Sequence, residues 1–135
     1  ADEQTCAIVK PDAIEHAALV EAAIHREDQL EIVQRETLTW TPQTAEAFYA
    51  EHHGKPFYAT LVGFMTSGPI QVMTLAGPGA IGAWRGLAGP TNSERARQVA
   101  PTSLRARFGT DGTHNAVHGS DSPAAAAREI NIAYQ

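Results

Sequence analysis

Apolar positions along the chain switch between short continuous runs and a helical period, and that switching predicts the elements. Thr5-Cys6-Ala7-Ile8-Val9 is an apolar run bounded by polar residues, as a buried strand requires. Lys10-Pro11-Asp12 ends it, because proline suits the first turn of a helix. Ile14, Ala17, Ala18, Leu19, Ala22 and Ile24 then recur at helical spacing up to about His25. From Glu31 to Trp40 the pattern alternates. Ile32, Gln34, Glu36, Leu38 and Trp40 share one face and Val33 and Thr37 the other, which predicts a second strand. Thr41-Pro42 opens a helix with Ala45, Phe48 and Tyr49 on one face. His52-His53-Gly54-Lys55-Pro56 breaks it, with the two histidines expected in solvent. Phe57 to Met65 is a second short helix.

Gly68-Pro69 is a turn, and Ile70 to Leu75 a third strand with Val72 and Met73 inside. Ala80 to Leu87 reads as helix, closed by Gly89-Pro90. Thr91 to Thr113 is mostly polar and predicts irregular structure. Asn115 to His118 suits a fourth strand. Ser122-Pro123 is the N-cap and first position of a last helix, through about Ala133. Merging the helix pair in the middle gives βαββαβ. The expected fold is α+β, a ferredoxin-like sandwich of a four-stranded antiparallel sheet covered by helices on one face. Residues 1–135 suit one domain with one core.

Composition narrows the class. Hydrophobic residues make up 43% of the chain, enough for a compact fold. No apolar run approaches the roughly 20 residues of a membrane span, so no membrane partner is expected. Ala1 to Thr5 is polar and acidic, unlike a secretory signal. Cys6 is the single cysteine, which fits a reducing, cytoplasmic compartment. Net charge is −5, unevenly spread: residues 1–66 carry 11 acids and 4 bases, residues 67–135 only 4 acids and 6 bases. Those six are all arginine: Arg85, Arg95, Arg97, Arg105, Arg107 and Arg128. Arginine forks match phosphate oxygens. An acidic chain with a local arginine concentration points to a small phosphorylated ligand and away from nucleic acid, which needs a wider basic face.

Asn115-Ala116-Val117-His118-Gly119-Ser120-Asp121 carries the chemistry. A histidine can take up a transferred group and give it away again. A glycine beside it lets backbone approach a bulky charged substrate. Taken alone, the spacing leaves a buried or turn-forming histidine as the commoner reading. Attack needs a neutral imidazole whose other nitrogen is held by a partner, for which Ser120 and Glu129 are candidates. Lys10 ends the first strand and His118 the fourth, where ligand sites gather. Lys10, Arg85 and Arg105 are candidates to cradle phosphates, Thr91 to add a hydroxyl, and Phe57 or Tyr58 to stack on a base. The His114/His118 pair lacks the glutamate of a zinc-protease helix. Gly77-Pro78-Gly79-Ala80 lacks the ending of a Walker loop. Phe48, Phe64 and Trp84 read as core.

With Lys10-Pro11-Asp12, Tyr49, Pro56-Phe57-Tyr58, Ser67-Gly68-Pro69, Arg85, Gly89-Pro90-Thr91-Asn92, Ser103-Leu104-Arg105 and Glu129 in order around that heptapeptide, the whole chain resembles the nucleoside diphosphate kinases. The resemblance implies transfer of the γ-phosphate of a nucleoside triphosphate to a nucleoside diphosphate, by ping-pong through a phosphohistidine. His118 matches the phosphorylated residue. Lys10 and Asn115 match contacts to the ribose and the moving phosphate, and Tyr49 the tyrosine near the γ-phosphate. Phe57 matches the base-stacking ring. Arg85, Thr91 and Arg105 match the phosphate clamp, and Ser120 and Glu129 the pair orienting the histidine. Mg²⁺ is expected to arrive on the nucleotide, with no direct protein ligand and Asp121 at most a water-mediated helper. The segment Asn92 to Ala100 is longer than in common hexameric members, and the chain stops at Gln135 without the long C-terminal tail that many eukaryotic members carry. A homodimer is therefore expected. The longer segment, Gly109-Thr110-Asp111-Gly112 and Leu104-Arg105-Ala106-Arg107-Phe108 look more like the divergent radial-spoke group. That implies an alternative: a nucleotide-binding module of a cilium or flagellum axoneme, with axonemal partners and little turnover.

Overall fold

The computed structural model describes residues 3–135. Strand β1 (Glu3–Val9) is followed by a 3-10 turn (Ile14–His16), helix α1 (Ala17–His25) and β2 (Glu31–Leu38). Then come α2 (Pro42–Phe48), a 3-10 turn (Ala50–His52), α3 (Tyr58–Met65) and β3 (Ile70–Gly77). The chain ends with α4 (Ala80–Ala88), α5 (Ser93–Val99), α6 (Leu104–Phe108), β4 (Val117–Gly119) and α7 (Pro123–Ala133). The strands form one sheet in the order β2-β3-β1-β4, antiparallel throughout. This is the expected ferredoxin-like sheet. β1 and β4 are neighbours, with Ile8 opposite His118, so the ends of the two strands meet.

Helices cover both faces of the sheet rather than the one expected. Thr5 to Val9 and the whole of β3 are buried, which requires cover on each side. On one face Ala7, Val9, Met73 and Leu75 pack with Val20 and Ile24 of α1, Trp84 and Ala88 of α4, and Leu104 of α6. On the other, Cys6, Ile8, Ile70 and Val72 pack with Phe48 of α2, Leu61 and Met65 of α3, and Ala133 of α7. The α2–α3 pair, merged as a minor excursion in the sequence reading, is half of that second layer.

Two further expectations are corrected. The segment 91–113 is not irregular throughout, because α5 and α6 lie in it. Asn92 caps α5 by accepting from Arg95 N at 2.9 Å, and Ser103 caps α6 by accepting from Ala106 N at 3.3 Å. Strand β2 contains a register shift between Ile32 and Gln34, which leaves Val33 49% exposed and breaks the alternation. Trp40 lies beyond the strand, buried, with its indole N–H donating to Ala133 O at 2.9 Å.

Candidate active site

Lys10 leaves the end of β1 buried, in a segment clamped to the approach to β4. Its backbone N–H donates to Ala116 O at 2.8 Å, and Ala116 N donates to Asp12 Oδ2 at 3.2 Å. Held on both sides, Ala116 adopts φ +74°, a left-handed conformation that costs an alanine about 1 kcal/mol. The strain has a geometric consequence. Residues three apart on a regular strand point to opposite faces, yet Asn115 and His118 both line one cavity. The left-handed residue between them breaks the alternation. It also explains why β4 starts only at Val117.

Asn115 is buried and fully engaged. Its Oδ1 accepts from Lys10 Nζ at 2.7 Å, and its Nδ2 donates to Thr91 O at 2.8 Å and Gly112 O at 3.2 Å. Lys10 Nζ also lies 3.4 Å from Thr113 O. Arg105 donates through Nη1 to Gly89 O at 2.7 Å and through Nη2 to Val117 O at 3.0 Å. Its Nε is buried without a partner. Burial, reinforced by Arg105, pulls the Lys10 ammonium down to about 8. Burial, reinforced by Arg85, pulls Arg105 down to about 10. Cations held this way favour an arriving anion.

Behind the cavity a relay fixes His118. Cys6 N donates to Ser120 Oγ at 3.1 Å, and Ser120 Oγ donates to Glu129 Oε1 at 2.8 Å. The same carboxylate oxygen lies 2.7 Å from His118 Nε2. The tautomer this pairing selects carries its proton on Nε2 and leaves the Nδ1 lone pair free. Ser122 caps α7 by accepting from Ala125 N at 3.1 Å, with Pro123 at the first helical position, and this sets the turn on which Glu129 faces inward. Trp84 Nε1 donates to His118 O at 2.9 Å. A Cβ on Gly119 would stand 2.7 Å from the Trp84 ring, so residue 119 must be glycine. Trp84 is core, as expected, and also holds the histidine backbone.

The imidazole is poised neutral. Burial lowers its pKa, Glu129 opposes, and the charges of Lys10 and Arg105 add to the lowering. Burial works to raise the Glu129 carboxyl, but the bonds and charge from His118, the bond from Ser120 and the charge of Arg128 hold it below the usual range.

The cavity encloses about 490 Å³. Lys10, Tyr49, Phe57, Arg85, Thr91, Arg105, Asn115 and His118 all line it, so the structure brings together eight of the ten residues expected at the site. Ser120 and Glu129 sit behind it: Glu129 bonds His118 directly and Ser120 acts through Glu129. Phe57, not Tyr58, lines the mouth, whereas Tyr58 packs on the second core layer. Asp121 is exposed and does not line the cavity. His52, expected in solvent, is half-buried and does line it, with its ring centroid 5.3 Å from that of Phe57. Only the second of the two histidines, His53, is exposed. The Tyr49 hydroxyl is buried without a partner in the same lining. Among the described residues no carboxylate lines the cavity. Among the described residues no group of three or more His, Cys, Asp or Glu side chains is placed to hold a metal ion.

Fold and cavity together define a protein that holds a fixed histidine in a cavity lined by a lysine and two arginines. The comparisons with known proteins agree. The family profile described as "Nucleoside diphosphate kinase" matches residues 3–135. Nucleoside diphosphate kinase 6 of Rattus norvegicus is 46% identical over 129 residues, 93% of this chain and 73% of the relative. The nucleoside diphosphate kinase of Aquifex aeolicus is 46% identical over 131 residues, 95% of this chain and 91% of the relative. A crystal structure of the Aquifex aeolicus enzyme superposes with a TM-score of 0.92 at 43% identity, covering 100% of this chain and 96% of that one. A Halobacterium salinarum nucleoside diphosphate kinase in complex with CDP superposes with a TM-score of 0.89 at 33% identity, covering 98% and 87%. The chain belongs to the nucleoside diphosphate kinase family.

Proposed function

We propose that the chain is an active nucleoside diphosphate kinase, moving the γ-phosphate of a nucleoside triphosphate onto a nucleoside diphosphate through His118. The observation that carries this reading is the orientation of the imidazole. Nε2 is bound to Glu129 at 2.7 Å, and the ring lines a cavity with Lys10, Arg85 and Arg105. Nδ1 attacks the γ-phosphorus as the bond to the β-phosphate oxygen breaks. The diphosphate leaves with the electron pair. The Nε2 proton stays on the ring, and Glu129 stabilises the positive charge that the phosphohistidine acquires. A second diphosphate takes the phosphoryl group back by the reverse path.

Lys10, Arg85, Arg105 and the Thr91 hydroxyl hold the phosphates, the Tyr49 hydroxyl and Asn115 bound the reacting end, and Phe57 stacks on the base. Mg²⁺ enters as part of the nucleotide substrate. Among the described residues the lining offers cations, an amide and hydroxyls but no carboxylate, so the phosphate oxygens would hold the metal and the metal would neutralise part of their charge.

The test is incubation with γ-labelled ATP and Mg²⁺ at neutral pH. An acid-labile, alkali-stable phosphoenzyme is expected, discharged by added diphosphate and lost in His118→Ala. Bound ADP without any phosphoenzyme would instead support the axonemal module without turnover.

A further inference from the structure

We propose that Arg128 is a positioning residue for this phosphotransfer, keeping the Glu129 carboxylate turned toward His118 and tying helix α7 to the end of α2, one residue before the cavity-lining Tyr49. The inference rests on the reading of His118 as the phosphorylated residue. Glu129 spends one oxygen, Oε1, on both His118 Nε2 at 2.7 Å and Ser120 Oγ at 2.8 Å. Its other oxygen, Oε2, lies 3.7 Å from Arg128 Nη2. The Nη1 of the same guanidinium donates to Phe48 O at 3.2 Å, at the last residue of α2. Nη2 also stands 3.9 Å from Glu51 Oε1 in the following turn.

One planar fork therefore touches the catalytic carboxylate and the end of α2 together, which a point charge cannot do. That end of α2 matters to the site. The Phe48 ring stands edge-on to His118 with centroids 5.0 Å apart, and the next residue, Tyr49, carries the unpartnered hydroxyl. Arg128 thus joins the two elements that press on the imidazole from behind and from the side.

The charge has a definite consequence for pH. Lys10 and Arg105 favour the neutral imidazole, and Glu129 favours the imidazolium. Arg128 stands 3.7 Å from the far oxygen of Glu129 and favours its charged form, and a positive charge placed there works against the imidazolium. Cys6 and Tyr49 face Glu129 as well, but burial pushes both upward, so they stay uncharged near neutrality. Glu51 lies beyond Arg128 and is exposed. Without the guanidinium, His118 protonates more readily and loses its nucleophilic lone pair at higher pH.

The experiment is single-turnover phosphorylation by Mg·ATP from about pH 5 to about pH 8, on the full chain and on Arg128→Gln and Arg128→Lys. Arg128→Gln is expected to move the acid limb up by roughly half to one pH unit, a shift sized for a partly solvent-screened charge. Arg128→Lys is expected to leave the limb in place and lower the plateau rate by a few-fold, because lysine keeps the charge and loses the fork. A uniform loss in Arg128→Gln with an unmoved limb would mean a merely structural role and overturn the proposal. If Arg128→Gln does not fold, Arg128→Lys decides alone: a moved limb or an undiminished plateau overturns it. A wild-type chain that takes no phosphate at any pH sinks the kinase reading and this proposal with it. A labelled wild type with an unmoved limb in Arg128→Gln sinks this proposal only.

Discussion

At the inner end of the cavity Lys10, Arg105 and Asn115 are tied to backbone carbonyls of Thr113, Gly89, Val117, Thr91 and Gly112. At the mouth Phe57 is 44% exposed, with the His52 ring beside it at 5.3 Å and Lys55 Nζ 5.9 Å from its ring centroid. The inner end is held by these bonds to main chain, and the dipoles so fixed need not reorganise when charge moves. The mouth offers a ring face to any flat group, and a ring face does not distinguish one base from another. Under the proposed function, the contrast would put rate mainly on the inner residues and affinity mainly on the outer one.

The largest test of that contrast is Lys10→Gln. It removes a buried charge and the partner of Asn115 Oδ1. A loss of about 10²- to 10³-fold is expected in kcat, with KM raised by no more than a few-fold, since truncating a buried charged partner costs roughly 3–4 kcal/mol. Steady-state kinetics with saturating ATP check it, and a pure KM effect would break the contrast. Glu129→Gln comes next. It leaves His118 a neutral acceptor in place of the carboxylate, and about 10- to 100-fold slower phosphoenzyme formation is expected, the worth of a hydrogen bond to a charged group. An unchanged rate would show that the relay only packs. Phe57→Ala is smaller and of the other kind: about tenfold weaker nucleotide binding by calorimetry, with kcat changed by less than about twofold. A Phe57→Ala variant that loses kcat instead would move the mouth into the machinery of the step.

The inner end was legible in the sequence mainly through side-chain identity, and its mechanics were not. His118, Lys10, Arg85 and Arg105 announce themselves as a nucleophile and phosphate-binding cations. That Ala116 is left-handed, and that this swings Asn115 and His118 onto one cavity, depends on long-range hydrogen bonds to Lys10 and Asp12 that no local pattern encodes. Arg128 stands in the sequence only as one of six arginines, because its placement depends on a carbonyl in α2, 80 positions away. In the fold, the continuous apolar runs of β1 and β3 were a signal of burial on both faces, and a one-sided sheet would have alternated. Helices α5 and α6 were missed because they are seven and five residues long and bury few apolar side chains, so no period accumulates. Their capping residues, Asn92 and Ser103, were the available clue.

The smallest effect is a pH dependence confined to the inner end. With Lys10 drawn down to about 8 in the free protein, phosphates that arrive beside it favour its charged form and raise that value. Below about pH 7 the ammonium is already protonated and binding takes up little from Lys10. Between about pH 8 and pH 9 the free protein has lost much of that proton and the complex regains it, so affinity falls as pH rises, by a few-fold across that unit. Arg105, at about 10, adds to the fall only above that window. Calorimetry of ADP binding at pH 8.5 in two buffers of different ionisation enthalpy reads the proton directly. An uptake of roughly half a proton is expected in the wild type and in Phe57→Ala, and near zero in Lys10→Gln. Because Phe57 is remote from the titrating group, its removal should weaken binding without altering the slope against pH. Equal apparent enthalpies in both buffers for the wild type would mean that Lys10 does not sense the phosphates, and the division between a charge-sensing inner end and a stacking mouth would fail at its most specific point.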